Sequence, residues 1–285
     1  MKALLLCAGL GSRLHPYTGK CSKVALPFLN IPIVAYPLKI LEDIGVSHLL
    51  VNTHHQAQQV KETIESLKLS IPYCSFFYES VLLGGLGTLK ENTNFFKEEE
   101  DFIYFNGDSV FLCDDFFSQM ILQHKKKKAL MTFLCSPFKK GSYLRMDTEG
   151  RIVPKGSSRN HQACFFVGFV LVNKECFSLL KKSDDHLFKD FVNRHYRRCF
   201  IYVQKHLQFF EIGSFSGYMQ ALQACVKYLE NPLSKEAKLL NKILRRYLSP
   251  EFMQSSNHFR LDYLRRQFFS QGVASAGKWR CQSKI

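Results

Sequence analysis

Short apolar runs at residues 3–7, 48–52, 74–78 and 102–105 alternate with segments of helical period, and that alternation constrains the fold more than any other feature of the chain. Such runs read as buried strands. Residues 33–44 and 56–67 fill two of the gaps as helices, stopped by Gly45 and by Ser70-Ile71-Pro72. Strands separated by helices give an α/β architecture, a parallel sheet with helices on its faces. A further strand near 129–134 and a long one near 164–172 flank a segment with Gly141, Asp147-Thr148-Glu149-Gly150 and Lys155-Gly156-Ser157-Ser158. That composition predicts hairpins and loops inserted over the C-terminal edge of the sheet. Open α/β sheets bind ligands beyond the carboxyl ends of their strands, so the insertion is placed to form part of a second pocket.

The C-terminal residues differ in character. Residues 234–248 and 258–270 regain a helical period, with Pro250 between them, and residues 231–285 hold eleven Lys and Arg against three Asp and Glu. The expected organisation is therefore one domain over 1–230 and a small basic helical tail over 231–285. At 285 residues and 46% hydrophobic content the chain can bury a full core without a membrane span. The opening apolar run ends at Gly9, shorter than the roughly 7–15 residues of an export signal. Ten cysteines with no Cys-x-x-Cys pair fit a reducing cytoplasm rather than a disulfide framework or a zinc site. The net charge of +15 favours polyanionic partners, which include nucleic acid, anionic lipid and phosphorylated small molecules. No aromatic-plus-basic recognition strand is present, so no specific nucleic acid is expected, and Lys125 to Lys128 read as a solvated helix end.

The loop after the first strand carries the chemistry: Cys7-Ala8-Gly9-Leu10-Gly11-Ser12-Arg13-Leu14-His15-Pro16-Tyr17-Thr18, then Ser22-Lys23-Val24-Ala25-Leu26-Pro27. Gly9 and Gly11 let the backbone approach a ligand and turn amide donors towards phosphate oxygens, while Arg13 and Lys23 add mobile positive charge. Leu14 stands where a dinucleotide fingerprint needs its third glycine. The same residue and Cys21 exclude a P-loop around Gly19-Lys20. Further on, Asn106-Gly107-Asp108 ends a strand with a carboxylate suited to a hard, oxygen-loving cation. His54-His55 and Asp114-Asp115 read as loop and helix-cap residues.

Taken together, these motifs resemble the sugar nucleotidyltransferase family, and are particularly similar to its bacterial hexose- and muramate-1-phosphate members. The resemblance extends to about residue 225. It implies a Rossmann-like nucleotidyltransferase sandwich with a mixed, mostly parallel sheet, in which a nucleotidyl group passes from a nucleoside triphosphate to a sugar 1-phosphate with release of pyrophosphate. By the same resemblance, Ala8, Gly9, Gly11 and Ser12 hold the nucleotide, and Arg13 and Lys23 are the catalytic cations on the triphosphate. The Leu83-Gly84-Gly85-Leu86-Gly87-Thr88-Leu89 loop lies against the base, with Gly87 as its neighbour, and Gly85 stands where the family has Thr. Asp108 and Glu211, the latter in place of the family's Asp, hold Mg²⁺. Lys155 and Gly168 face the sugar phosphate, although the family's Glu-Lys-Pro has no counterpart here. Three departures, Ser22, Gly85 and Glu211, keep open a catalytically inactive nucleotide- or nucleotide-sugar-binding relative. A phosphocholine cytidylyltransferase shares the first motif. A homo-oligomer is compatible with all of these readings.

Overall fold

The computed structural model describes residues 1–137, 144–154, 161–184 and 186–249. Its strands and helices fall on the expected segments. β1 (Lys2–Leu6), β2 (His48–Thr53), β3 (Tyr73–Tyr78) and β4 (Asp101–Asn106) are joined by α1 (Ala35–Ile44), α2 (Ala57–Ser66) and α3 (Gly84–Glu91). A short strand, β5 (Val110–Leu112), leads to α4 (Phe117–Lys126), β6 (Met131–Pro137), β7 (Leu144–Met146) and the long β8 (Gln162–Asn173). β9 (Cys199–Val203), β10 (Gln208–Phe210), α5 (Phe215–Glu230) and α6 (Lys235–Tyr247) follow. The main sheet has the order β9-β6-β8-β4-β1-β2-β3, with β7 on β8 and β5 paired to β10 outside it. β8 runs antiparallel to β4 and β6, whereas β1–β2, β1–β4, β2–β3 and β6–β9 are parallel.

Local chemistry explains where the elements begin and end. α1 starts at Ala35 rather than 33 because Ile33 and Val34 donate their amides to Leu26 and Val24 of the preceding loop. It stops where Gly45 takes a left-handed conformation (φ 79°), which glycine adopts without steric cost. The insertion does pair with the top of β8, but its return limb runs elsewhere. Ile152 donates to Cys199, and Ile201 to Gly150, so this stretch lines the outer edge of β9. That covers an edge which would otherwise present unpaired backbone groups.

The chain leaves β1 for β2 and β3 on one side, then crosses to place β4 on the other. β1 and β4 therefore diverge in their connections at their carboxyl ends, the switch point at which α/β sheets open a crevice. Gly107 holds the two strand ends together: its amide donates to Leu6 O at 2.9 Å. A Cβ at this position would lie 2.5 Å from Cys7 Sγ and 2.8 Å from Leu6 O.

The start of the C-terminal segment is built into this body. α6 buries Leu240, Ile243 and Leu244 in a core that also holds Phe28, Tyr36, Phe210, Tyr218 and Leu222. Arg246 donates to both carboxylate oxygens of Glu42 on α1, at 2.9 and 3.2 Å, and Ser70 N and Oγ add two more bonds to Oε1. Burial pushes the Glu42 carboxyl up, but Arg246 and Ser70 outweigh it and hold it below the usual carboxylate range. A depressed carboxyl stabilises the fold fully above its unfolded value, and that contribution is lost as pH falls through the folded value. Between about pH 6 and 3, the melting temperature of the Glu42→Gln variant should therefore fall less steeply than that of the natural chain. Parallel slopes would show that this pair does not tie α6 to α1 in solution.

Candidate active site

The crevice at the ends of β1 and β4 is a cleft of about 420 Å³. It is lined by the β1 loop, by Lys23, by Asn52 and Glu79 at the ends of β2 and β3, by Gly84 and Gly85, by Asn106 and Asp108, and by Gly213. The β1 loop is held open by its own hydrogen bonds. Asn52 Oδ1 accepts from Cys7 N at 2.7 Å and Ala8 N at 3.3 Å. Gly11 is left-handed (φ 65°), and a Cβ there would press on Thr18 Cγ2 at 2.9 Å and Lys23 Cβ at 3.0 Å. Its carbonyl accepts from Thr18 Oγ1 and Leu14 N, both at 2.9 Å, which closes the short 3₁₀ turn Ser12–Leu14. Nothing lies within 4 Å of a Cβ placed at Gly9, so the loop faces open space.

Lys23 and Asp108 meet across this space, Nζ to Oδ2 at 2.5 Å. The lysine side chain is 11% exposed and the aspartate 37%, so the pair is a cation held in the wall with a carboxylate open to the cleft. Arg13 is exposed on the loop, and its Nη2 would be 2.7 Å from a Cβ on Gly213. Glu211 comes to the same glycine from the other side. Its Oε1 accepts from Gly213 N at 2.7 Å, in the loop that enters α5, where Ser214 Oγ caps the helix by accepting from Gly217 N. Arg13 and Glu211 thus converge on Gly213. Among the described residues no group of three or more His, Cys, Asp or Glu is arranged to hold a metal. Burial and the charge of Asp108 push the Cys7 thiol well up, so it stays neutral in the cleft floor and is no nucleophile.

The other expected positions divide. Gly84 and Gly85 line the cleft, whereas Gly87 is buried inside α3, with Leu83 Cβ 2.8 Å from where its own Cβ would be. Gly168 sits in β8 at φ 91°, where the pairing with β6 shifts register. It packs against Asn106 and Ser109, on the turn that carries Asp108, and a Cβ would collide with Ser109 Oγ. Lys155 lies outside the described residues. His54 and His55 are loop residues that bond the carbonyls of Glu79 and Thr18, both at 2.8 Å.

Asn52 and Glu79 belong to none of the sequence motifs. Glu79 is 2% exposed, and its carboxylate takes hydrogen bonds from Asn52 Nδ2 (2.8 Å), Thr88 Oγ1 (2.5 Å) and Leu83 N (3.1 Å). One continuous network therefore runs from the amides of Cys7 and Ala8 through Asn52 and Glu79 to the glycine loop at α3. The available signal was positional: each residue is polar and follows an apolar strand at its carboxyl end, where α/β ligands bind.

A glycine loop, two cations and a half-buried carboxylate thus meet at the switch point of a mixed sheet, and open loop amides with nearby cations are the kind of groups that suit phosphate. The nucleotidyl transferase family model matches residues 2–152, and the chain belongs to that family. It is 28% identical over 159 residues to the mannose-1-phosphate guanylyltransferase catalytic subunit beta of Dictyostelium discoideum, a match covering 54% of this chain and 44% of that protein. The corresponding protein of Xenopus tropicalis is 32% identical over 130 residues, covering 44% and 35% respectively. The chain thus spans less than half the length of these relatives. It is also 27% identical over 242 residues to the D-glycero-α-D-manno-heptose 1-phosphate guanylyltransferase of Aneurinibacillus thermoaerophilus, covering 80% of this chain and all of that one. The fold is shared with the crystal structure of HddC from Yersinia pseudotuberculosis, at a TM-score of 0.64 and 20% identity over 78% of this chain and 98% of that one. No described helix is long and apolar enough to cross a membrane.

Proposed function

We propose that the protein is an enzyme that transfers a nucleotidyl group from a nucleoside triphosphate to a sugar 1-phosphate. The observation that carries this reading is the convergence of the open β1 loop, Lys23 and Asp108 on one cleft at the switch point. An oxygen of the sugar phosphate attacks the α-phosphorus, the bond to the β-phosphate breaks, and pyrophosphate leaves with the bonding electron pair. Such a reaction needs positioning and charge neutralisation rather than a protein nucleophile. Amides of the β1 loop and Arg13 bind the triphosphate, and Lys23 neutralises charge gathering on the leaving group. Asn52 fixes the loop, and Gly168 sets the turn that aims Asp108.

Asp108 and Glu211 offer only oxygen donors, which suits Mg²⁺, an ion commonly bound by one or two carboxylates plus phosphate and water. When bound, the ion would offset the negative charge of the two substrates. Glu211→Ala should then abolish the stimulation of turnover by Mg²⁺ and leave the melting temperature within about 2 °C, because the side chain is exposed. Normal turnover of this variant at low Mg²⁺ would remove Glu211 from the site. The free thiols of the described cysteines suit a cytosolic enzyme.

The test is a panel of nucleoside triphosphates against sugar 1-phosphates, GTP with hexose and heptose 1-phosphates first, read as released pyrophosphate. Release that needs both substrates supports the reading. Tight nucleotide binding without release from any pair would favour the catalytically inactive relative.

A further inference from the structure

Four of the polar side chains that line the cleft are committed to partners: Lys23 to Asp108, and Asn52 and Glu79 to the network that fixes the β1 loop. Ser12 and Arg13 stand exposed on the loop itself. Asn106 differs from all of these. It ends β4, half-buried, it lines the cleft, and its side-chain amide has no hydrogen-bond partner among the described residues. The buried polar atoms left unpaired are Ser22 Oγ and Asn241 Oδ1, so the free amide of Asn106 is open rather than sealed in the core.

Its direction follows from the strand. Phe102 and Tyr104 pack with Leu4, Leu86 and Leu89, whereas Ile103 and Phe105 pack with Leu5 and Phe169 on the opposite face. Side chains alternate along a strand, so Asn106 falls on the Tyr104 face, beside Leu6, its partner on β1 and itself a residue of the cleft. On its other side is β8. The ladder there runs up to Phe169 opposite Phe105, and the next residue, Gly168, would put a Cβ 3.0 Å from Asn106 Nδ2. The missing side chain at 168 is what leaves the amide its room.

The order of the strands assigns this side of the cleft. The β1 loop, with Arg13 and Lys23, suits the triphosphate. The wall beyond β2 and β3, where Glu79, Leu82, Gly84 and Gly85 stand, has a buried carboxylate and suits the nucleoside better than phosphate. β4 and β8 lie on the opposite side of β1, which leaves that side to the acceptor. A primary amide there supplies two N–H donors to a phosphate that comes close to the Asp108 carboxylate.

We propose that Asn106 Nδ2 donates a hydrogen bond to the phosphate of the acceptor, the sugar 1-phosphate, and holds its attacking oxygen towards the α-phosphorus. The proposal rests on the nucleotidyl-transfer reading. It gives each substrate its own holding point: loop amides and cations for the triphosphate, a neutral amide on β4 for the acceptor.

The experiment uses the full chain with a triphosphate and sugar 1-phosphate that it turns over. The readouts are initial rates, calorimetric titration with the triphosphate alone, and inhibition by inorganic phosphate competing with the acceptor. Asn106→Ala removes an unpartnered amide, so its melting temperature should stay within about 2 °C of the natural chain. It should raise KM for the sugar 1-phosphate and the inhibition constant of inorganic phosphate about tenfold each, while affinity for the triphosphate changes less than about twofold. Asn106→Asp is the sharper variant. It keeps the shape of the side chain but sets a carboxylate against the phosphate, so acceptor KM should rise further than in Asn106→Ala. A part played only in packing gives the reverse order, the aspartate variant nearer normal, and that order would sink the proposal. Unchanged acceptor KM in a folded Asn106→Ala protein, or a loss of triphosphate affinity as large as that for the acceptor, overturns it and leaves nucleotidyl transfer standing. A raised acceptor KM with inhibition by phosphate unchanged would move the contact to the sugar hydroxyls and overturn it too. If the natural chain releases no pyrophosphate with any pair of substrates, the nucleotidyl-transfer reading falls and this proposal with it.

Discussion

Lys23→Ala should lower turnover by about 10²–10³-fold, the magnitude attached to removing one preorganised charge-stabilising group from a transition state. From the sequence the lysine reads as a mobile charge on the loop beside Arg13, but its side chain is 11% exposed, fixed between the 3₁₀ turn and Asp108. That rigidity is what makes it effective: the charge is in place before the reaction, so none of its ordering is left to the chemical step. Stability should change far less, because Asp108, at 37% exposure, stays hydrated when its partner is lost. The measurement is kcat and melting temperature on the same preparation. Near-normal turnover would take Lys23 out of the mechanism, whereas a large drop in melting temperature would make the pair a structural one.

The second large effect concerns the end of the chain. Because every motif lies before residue 225, the sequence alone suggests that a chain ending at Glu230 keeps activity. The packing of α6 argues otherwise. Such a truncation strips Leu240, Ile243, Leu244 and Leu248 from the core around Phe28, Tyr36 and Phe210, and removes Arg246 from Glu42. Losing even one buried leucine costs about 2–5 kcal/mol, and whole domains are stable by only about 5–15 kcal/mol. The truncated chain should therefore be insoluble or lack a cooperative unfolding transition, while a chain ending at Ser249 should retain one. A soluble, cooperatively folded chain ending at Glu230 would show that α6 is an appendage after all.

Much of this was legible in the sequence, for identifiable reasons. Strands such as 3–7 and 102–105 are marked by unbroken apolar runs, and the Gly9–Gly11 loop by two glycines directly after a strand with Arg13 close behind. Asp108 was visible because it ends a strand beside a glycine. Long-range contacts leave no such periodic trace. Nothing local in Tyr78-Glu79-Ser80 indicates that Glu79 is tied to Asn52 and Thr88. Gly87 was the expected neighbour of the base from its motif, yet the turn into α3 presents Gly84 and Gly85 to the cleft and buries Gly87. Likewise, α6 has an amphipathic period that announces a helix but not the surface it covers.

The central claim is attack at the α-phosphorus, and the most direct test follows the label of GTP carrying radioactive phosphorus at either the α or the γ position. With a sugar 1-phosphate and Mg²⁺ present, the account predicts that the α label appears in a nucleotide-sugar and the γ label in pyrophosphate, with neither product formed when the sugar phosphate is omitted. Transfer of the γ label to the sugar or to free phosphate, or retention of both labels in intact GTP by a folded protein that binds it, would contradict the account.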